Sequence, residues 1–269
     1  MKTNSLILFV LVILFNSCSK KDDSLTENII VTITSESSVM YNNVEIKFFA
    51  SVSHQIKEAK FYLNGQLIGT SLYEPYNVSF TPKDIDAGLH EVKCVVVSNS
   101  GNEFDGSKNV ELQLRLGDEF KGGKIFYLDE TGKHGLIAAT TDMVVGDLIS
   151  FSWGTTVLIG TDRDNGKENT RKMADNSTVS SHAGYHFKNN YNHNNFNDWY
   201  IPAINELIIL KENKNYVGGF SNASNWEANY WSSTELSATN AEALHFNVLM
   251  GNSYEKNLYH LKVRPIRKF

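Results

Sequence analysis

The tightest constraint on what this chain can fold into is a period of two. In "AKFYLNGQLIGT", Phe61 and Leu63 alternate with Lys60 and Tyr62, and Asn64-Gly65 is the two-residue signal of a tight hairpin, because both positions must accept a positive φ. In "LHEVKCVVVSNSGN", Val92, Cys94 and Val96 fall on one side of a strand, where Cys94 reads as a small buried hydrophobe. Such segments recur at a spacing of roughly ten residues, punctuated by Asn, Gly and Pro. The pattern predicts an all-β sandwich over residues 28–115.

Beyond Gly117 the pattern changes. "GGKIFYLDETGKHGLIAA" gives two apolar runs, Ile125 to Leu128 and Gly135 to Ala139, joined by a polar turn, which predicts a hairpin. Ile204, Leu207, Ile208 and Leu210 stand at helical spacing with Pro202 just ahead of the first turn. A second helix is expected somewhere within Glu168 to Tyr185. The end of the chain predicts two strands around a turn at Gly251-Asn252. Residues 117–269 therefore read as a mixed α+β domain, following an all-β one.

The N-terminus is different in kind. Lys2 supplies a positive charge, Leu6 to Phe15 is an apolar run, and small or polar residues follow, which is the layout of a secretory signal over residues 1–17. A membrane-spanning helix needs about twenty apolar residues, so this run is too short to be one. Residues 18–27 are polar and without periodicity, a flexible tether. If the signal is cut before Cys18, one thiol, Cys94, remains, which leaves neither a disulfide framework nor a thiolate metal site. With a formal net charge of -5, the chain offers no excess of Lys and Arg for neutralising phosphates, which argues against a nucleic-acid partner.

Several stretches resemble known families. "LFNSCSKKDD" resembles the lipobox of bacterial lipoproteins, with Phe15 where Leu is usual; the resemblance implies lipidation of Cys18 and a membrane partner through the lipid anchor. Lys21-Asp22-Asp23 resembles the signal that sends some lipoproteins to the outer face of the outer membrane. "VEIKFFASV", "KFYLNGQLIGTSLYEPYNVSF" and "DAGLHEVKCVVVSNSGN" resemble bacterial immunoglobulin-like domains, which commonly act as spacers. "GGKIFYLDETGKHGLIAA", "NFNDWYIPAINELIIL", "VGGF", "YWSSTE" and "VRPIRKF" are similar, in order and approximate spacing, to the Lcl C-terminal domain family. That likeness implies a C-type-lectin-like fold over residues 117–269, more distantly like the formylglycine-generating enzymes. One departure is Ala203, where the family usually has the Ser of a capping box. Its loss should cost about 1 kcal/mol at the helix start.

Chemistry limits the candidate sites. Formylglycine-type catalysis needs reactive thiols, and Cys94 lies on a strand expected to be buried. A serine hydrolase built on Ser232 or Ser233 lacks a nucleophile elbow, although His245, His260 and Glu235 could be imagined nearby. His182, His186 and His193 raise the question of a metal, but "SSHAGYHFKNNYNHNN" has the composition of a solvated loop. "DRDNGKEN", Asp162 to Asn169, resembles a calcium loop in which Gly166 comes one position early and the closing Glu is missing; calcium is the single cofactor it could suggest. In "NYWSSTE", Trp231, Ser233 and Glu235 should share one face of a strand, and Tyr230, Ser232 and Thr234 the other.

Binding without chemistry remains. "KENKNYVGGFSNASNWEAN" is long and rich in Asn, with aromatic rings that can cover the apolar face of a sugar while amides bond its hydroxyls. Phe220 is expected to pin this loop to the core. Tyr216, Asn225, Trp226 and Asn229 are the expected ligand-binding residues. The sequence thus points to a non-catalytic, outer-membrane, cell-surface lipoprotein that binds an extracellular glycan or matrix polymer. The alternative is a structural or assembly subunit that packs on another envelope protein.

Overall fold

The computed structural model describes residues 27–188, 191–248 and 251–269. The expected signal peptide, Cys18 and most of the tether lie outside the described residues.

The first domain is built from β1 (Val31–Ser35), β2 (Val39–Tyr41), β3 (Ile46–Val52), β4 (Ile56–Leu63), β5 (Gln66–Ser71), β6 (Asn77–Phe80), β7 (Gly88–Ser98) and β8 (Glu103–Gln113). They form a three-stranded sheet, β1-β3-β6, and a five-stranded sheet, β2-β8-β7-β4-β5. Every pairing is antiparallel except β2 with β8. The period of two appears directly in burial: Phe61 and Leu63 on β4, and Val92, Cys94 and Val96 on β7, turn inward. The expected hairpin joins β4 and β5, with Leu63 opposite Gln66 and both Asn64 and Gly65 at positive φ. Asn64 also accepts the Glu91 N–H through its side chain, tying the turn to β7.

The second domain opens with β9 (Glu119–Phe120), β10 (Gly123–Leu128) and β11 (Gly135–Ala138), and the predicted hairpin is present, with Leu128 opposite Gly135. Helix α1 (Gly166–Asn176) supplies the second expected helix, and α2 (Ile204–Glu212) the first; the short α3 (Lys214–Val217) follows α2 directly. Strands β12 (Asn229–Glu235), β13 (Asn240–His245) and β14 (Gly251–Glu255) make one antiparallel sheet. The last strand, β15 (Ile266–Lys268), returns to pair with β11 in the sheet β15-β11-β10-β9. Gly251 and Asn252 are not a turn. They begin β14, opposite Leu244 and Ala243, because cross-strand pairing overrides their turn chemistry.

The helix start at Ala203 also differs from expectation. Half of a capping box survives, since the Glu206 carboxylate accepts the Ala203 N–H at 2.9 Å. The other half cannot exist, as a methyl group accepts nothing. Thr234 on β12 replaces it: its hydroxyl accepts the Ile204 N–H at 3.0 Å, so an orphan donor of the first turn is satisfied across the core. Burial pushes the Glu206 carboxyl above its usual range, against the Ala203 and Gly166 N–H groups, the Tyr200 hydroxyl and Lys268, which oppose the shift.

Candidate functional site

Strand β12 is a partition between two cores. Tyr230 packs with Phe246 and, edge-on, with Phe220, while Trp231 belongs to the cluster of Phe151, Trp153 and Val263. Two indoles lock the partition in place: Trp231 donates to the Phe151 carbonyl and Trp153 to the Ser232 carbonyl, each at 2.8 Å. The pairing with β13 shifts register between Trp231 and Glu235, so a bulge interrupts the expected alternation of faces. The hydroxyls in the bulge are bound inside the protein. Ser232 donates to the Glu242 carbonyl, Ser233 accepts from the Asn169 amide, and Thr234 caps α2. Both serines are fully buried, so neither can meet a substrate in this state.

Two buried charges complete the frame, and the sequence reading passed over both. The Lys256 ammonium lies 2.7 Å from the Glu235 carboxylate, donates to the Val157 carbonyl, and sits 4.4 Å from the centre of the Trp153 ring. Glu235 in turn accepts the N–H groups of Ile159, Gly160 and Thr161, fastening that loop. Burial would raise the Glu235 carboxyl, but Lys256 and the loop N–H groups outweigh it and hold the group below its usual range. Arg264 is fully buried; it pairs with Asp142 at 2.7 Å, donates to the carbonyls of Ala139, Gly218 and Gly219, and lies over the Phe220 ring. The pieces "VGGF" and "VRPIRKF", far apart in sequence, thus meet around one guanidinium, and "YWSSTE" joins them through the Tyr230 hydroxyl, which donates to Asp142. The available signal was a charge set inside an apolar strand-like run, as in "KVRPI".

The four expected ligand-binding residues separate. Trp226, in a one-turn 3-10 helix (Trp226–Ala228), is 59% exposed. Asn225 caps that turn by accepting the Glu227 N–H, and its carbonyl receives the His245 ring nitrogen. Asn229 is 2% exposed and donates its amide to the Trp226 carbonyl, so it supports the loop from within and does not face a ligand; this corrects the sequence expectation. Tyr216 is half-exposed on α3, beside the Gly117 turn. Phe220 pins the loop as expected, its ring packed at a tilt 4.6 Å from that of Phe246. From the opposite side Asn247 donates to the carbonyls of Ser221 and Ala223, and Tyr230 accepts the Ser221 N–H. The loop backbone is therefore braced at several points while the Trp226 ring stays outside.

The first half of the histidine segment is not a solvated loop. It is a 3-10 turn (Ala183–Phe187) that buries Ala183, Gly184 and Phe187 behind the buried cap residue His182, and a Cβ on Gly184 would collide with Met173 of α1; Tyr191 to Asn195 are loop residues, as expected, and largely exposed. His182 and His186 do not share a face in the turn, because a 3-10 helix has three residues per turn. The calcium-like stretch is the entry to α1: Asp162 accepts the Asp164 N–H, Asp164 accepts the Asn205 amide, and Asn165 caps the helix. Among the described residues no group of three His, Cys, Asp or Glu side chains converges as a metal site.

Two grooves open on this domain. One, of about 540 Å³, lies between α1 and the Asn197–Tyr200 segment and mixes charges of both signs, such as Lys167, Arg171, Asp175 and Asp198, with the rings of Phe187, Trp199 and Tyr200. The other, of about 470 Å³, runs between α2 and strands β13 and β14, over Ile204, Ile208 and Leu244.

No curated protein matches the chain. Among solved structures, the fibronectin(III)-like modules of Clostridium thermocellum CbhA share 20% identity over 32% of this chain and 96% of theirs, with a TM-score of 0.27. A fimbrial protein from Bacteroides ovatus shares 12% over 88% of this chain and 70% of its own, at 0.39. The Bacteroides ovatus mixed-linkage glucan utilization locus protein SGBP-B shares 14% over 46% of this chain and 36% of its own, at 0.26. Residues 30–93 match the family of bacterial Ig domains, which fall within the expected span and carry the alternating strands described above. The N-terminal sandwich is a bacterial immunoglobulin-like domain.

Proposed function

We propose that this is a lipid-anchored envelope protein whose immunoglobulin-like domain holds a non-catalytic, C-type-lectin-like domain away from the outer membrane to bind an extracellular glycan or matrix polymer. The carrying observation is Trp226, an exposed indole on a loop braced by Asn229, His245 and Asn247. A flat ring held at a fixed angle costs little further ordering when it meets the apolar face of a sugar.

The spacer part of the reading is supported by where the two ends of the sandwich lie. Glu27, the first described residue, accepts from Ser98, Ser100 and Asn102 at the tip of the β7–β8 hairpin. The C-terminal domain leaves from the other end of β8, an eleven-residue strand. At about 3.3 Å per residue, that places roughly 35 Å between the tether and the binding domain.

A second reading, assembly with another envelope protein, is favoured by a different observation. Ile149 and Leu158, and across the bridge from Phe151 to Leu261 the residues Leu258 and Tyr259, are exposed apolar side chains on neighbouring loops. The discriminating experiment is a glycan and matrix-polymer binding screen with the intact chain and its Trp226→Ala variant. Binding that Trp226→Ala weakens at least tenfold supports the first reading. Absence of any glycan or polymer binding, with a protein crosslinked through the Leu158 and Leu258 loops, supports the second. External protease applied to whole cells tests the orientation, because an outward-facing domain is removed and a periplasmic one is spared.

A further inference from the structure

The passage from one domain to the other is short and leaves no slack. Strand β8 ends at Gln113 and β9 begins at Glu119, so residues 114–118 make the whole connection. Each of them is bonded or packed. The Arg115 guanidinium lies 4.1 Å from the centre of the Tyr41 ring in the sandwich, while its backbone N–H and its side chain donate to the Asp118 carboxylate. The Gly117 N–H donates to the Ile125 carbonyl, and the Asp118 carbonyl accepts the Ile125 N–H. Leu114 is buried and Leu116 packs on the same apolar cluster, which runs without a break from Leu112 of the sandwich to Phe120 and Ile125 beyond the connection.

Beside the connection, a turn around Lys121 reaches back to the sandwich. There the buried Asn42 amide bonds both the N–H and the carbonyl of Ile85, and the Asn43 N–H donates to the Pro82 carbonyl, so two loops form one socket. From this socket the Asn43 amide donates to the Glu119 carbonyl at 2.9 Å, Asp84 accepts the Lys121 N–H, and Asp86 pairs with the Lys121 ammonium. The turn is also gripped by its own domain. Arg267 donates to the Lys121 carbonyl and the Asn194 amide to the Gly122 carbonyl. Asn43, Asp84, Lys121 and Asn194 stand at φ of 61°, 55°, 43° and 51°. Side chains rarely adopt such values, and the surroundings must enforce them.

We propose that the connection is a fixed elbow: the sandwich and the C-terminal domain move as one rigid body, latched by the Lys121 turn in the socket of Asn43, Asp84 and Asp86. Relative motion is the ordinary expectation for two domains of one chain. A hinge, however, needs a few residues free to change φ and ψ, and residues 114–118 are each committed to a bond or to the apolar seam. No strand of the described sheets pairs across the junction, so the latch orients two units that keep their own pairings. The elbow sets the direction in which the distal domain faces from its tether, whatever that domain binds.

The test is the distribution of distances between spin labels at Thr70→Cys and Ala238→Cys, exposed positions in different domains, measured by pulsed electron resonance on the intact chain with Cys18 replaced by Ser. The buried Cys94 takes no label. One narrow distribution is expected, as narrow as that of Thr70→Cys with Glu111→Cys, a pair within the sandwich. A flexible Gly-Ser segment inserted after Leu116 supplies the broad reference. Lys121→Asp suits the left-handed turn but sets a third acid beside Asp84 and Asp86, and should widen the distribution about twofold. Adding Asp86→Lys should narrow it again. Unchanged circular dichroism and tryptophan fluorescence check that both domains stay folded in each variant. A distribution as broad as that of the inserted chain before any change at Lys121, or a width that Lys121→Asp leaves as it was, would overturn the proposal.

Discussion

The two domains keep their interiors by different means. The described part of the sandwich buries Asn42 and Ser98 as its polar side chains and otherwise fills its core with Phe48, Phe61, Val92, Val96 and Leu112. The C-terminal domain buries Lys256, Arg264, Arg267, Glu206 and the Ser232–Thr234 hydroxyls beside its aromatic rings. Burial of apolar surface is non-directional and tolerates exchange of one hydrophobe for another. A buried charge demands particular partners at particular distances, so the second domain should be specified atom by atom where the first is specified by volume. The chain also supplies a separate probe for each: all four tryptophans lie in the C-terminal domain, and Cys94, the free thiol among the described residues, lies in the sandwich, so thiol reactivity is followed on chain in which Cys18 is replaced by Ser.

The largest expected effect comes from breaking the guanidinium clamp. Arg264→Met leaves Asp142 without its main partner and three backbone carbonyls without a donor, a loss of about 3–5 kcal/mol. Urea unfolding followed by tryptophan fluorescence should shift to much lower concentration. Cys94 should stay unreactive toward a thiol reagent through that transition, because burial pushes its thiol up to about 12 and the sandwich that buries it is intact. Thiol exposure in step with the fluorescence change would mean that the two domains unfold as one unit, and the comparison would collapse.

The converse change is smaller and falls on the other probe. Leu112→Ala empties a fully packed position on β8 and should cost about 3 kcal/mol, with Cys94 reacting at lower urea and the fluorescence transition unmoved. A swap that nearly keeps volume, Leu112→Met, should cost under about 1.5 kcal/mol, as apolar cores allow. No such lenient replacement is expected for Arg264.

The same contrast explains what could be read from the amino acids alone. In the sandwich, the period of two names the inward side chains, and Asn64-Gly65 names the turn, since both signals are local. Helix α2 and the Leu128–Gly135 hairpin were legible for the same reason. The Ser232–Thr234 bulge was not, because Ser and Thr fit an alternating strand as well as an interrupted one, and what breaks the strand is the Trp153 indole and the start of α2, both distant in sequence. Gly251-Asn252 carries turn chemistry yet pairs as a strand, and "SSHAGYHF" has loop composition yet packs on Met173, because only small residues fit there. For the candidate site, the exposed Trp226 and the pinning by Phe220 were legible. The burial of Asn229 was not, since an amide that braces a loop and one that grips a sugar look alike in a sequence.

A smaller effect tests how far the bracing extends. Thr234→Val keeps the shape of the side chain but removes the hydroxyl that accepts the Ile204 N–H, and should cost about 1 kcal/mol. Thr234→Ser should recover most of it. The reading is on the fluorescence transition, and a loss as large as that of Arg264→Met would show that the hydroxyl holds the bulge as well as the helix.

The smallest effect is a dependence on acidity confined to the same domain. His182 Nδ1 and His193 Nε2 are buried without a hydrogen-bond partner among the described residues. Burial lowers the affinity of both rings for a proton, with Lys188 adding to it at His182 and Arg264 at His193. The folded value is therefore below the unfolded one, near 6.5, so the unfolded chain binds more protons as the medium acidifies. Stability carried by the neutral rings is fully present above about pH 6.5 and is lost progressively as pH falls from there through the folded values. Urea transitions at pH 7.5 and pH 5 should differ in tryptophan fluorescence and agree in Cys94 exposure, once the reagent's own pH dependence is calibrated on unfolded chain. Replacing both rings, His182→Gln with His193→Gln, should flatten the difference. If the double variant keeps the full pH dependence, the sensitivity belongs to the carboxylates of the buried network, and Glu235 becomes the group to change next.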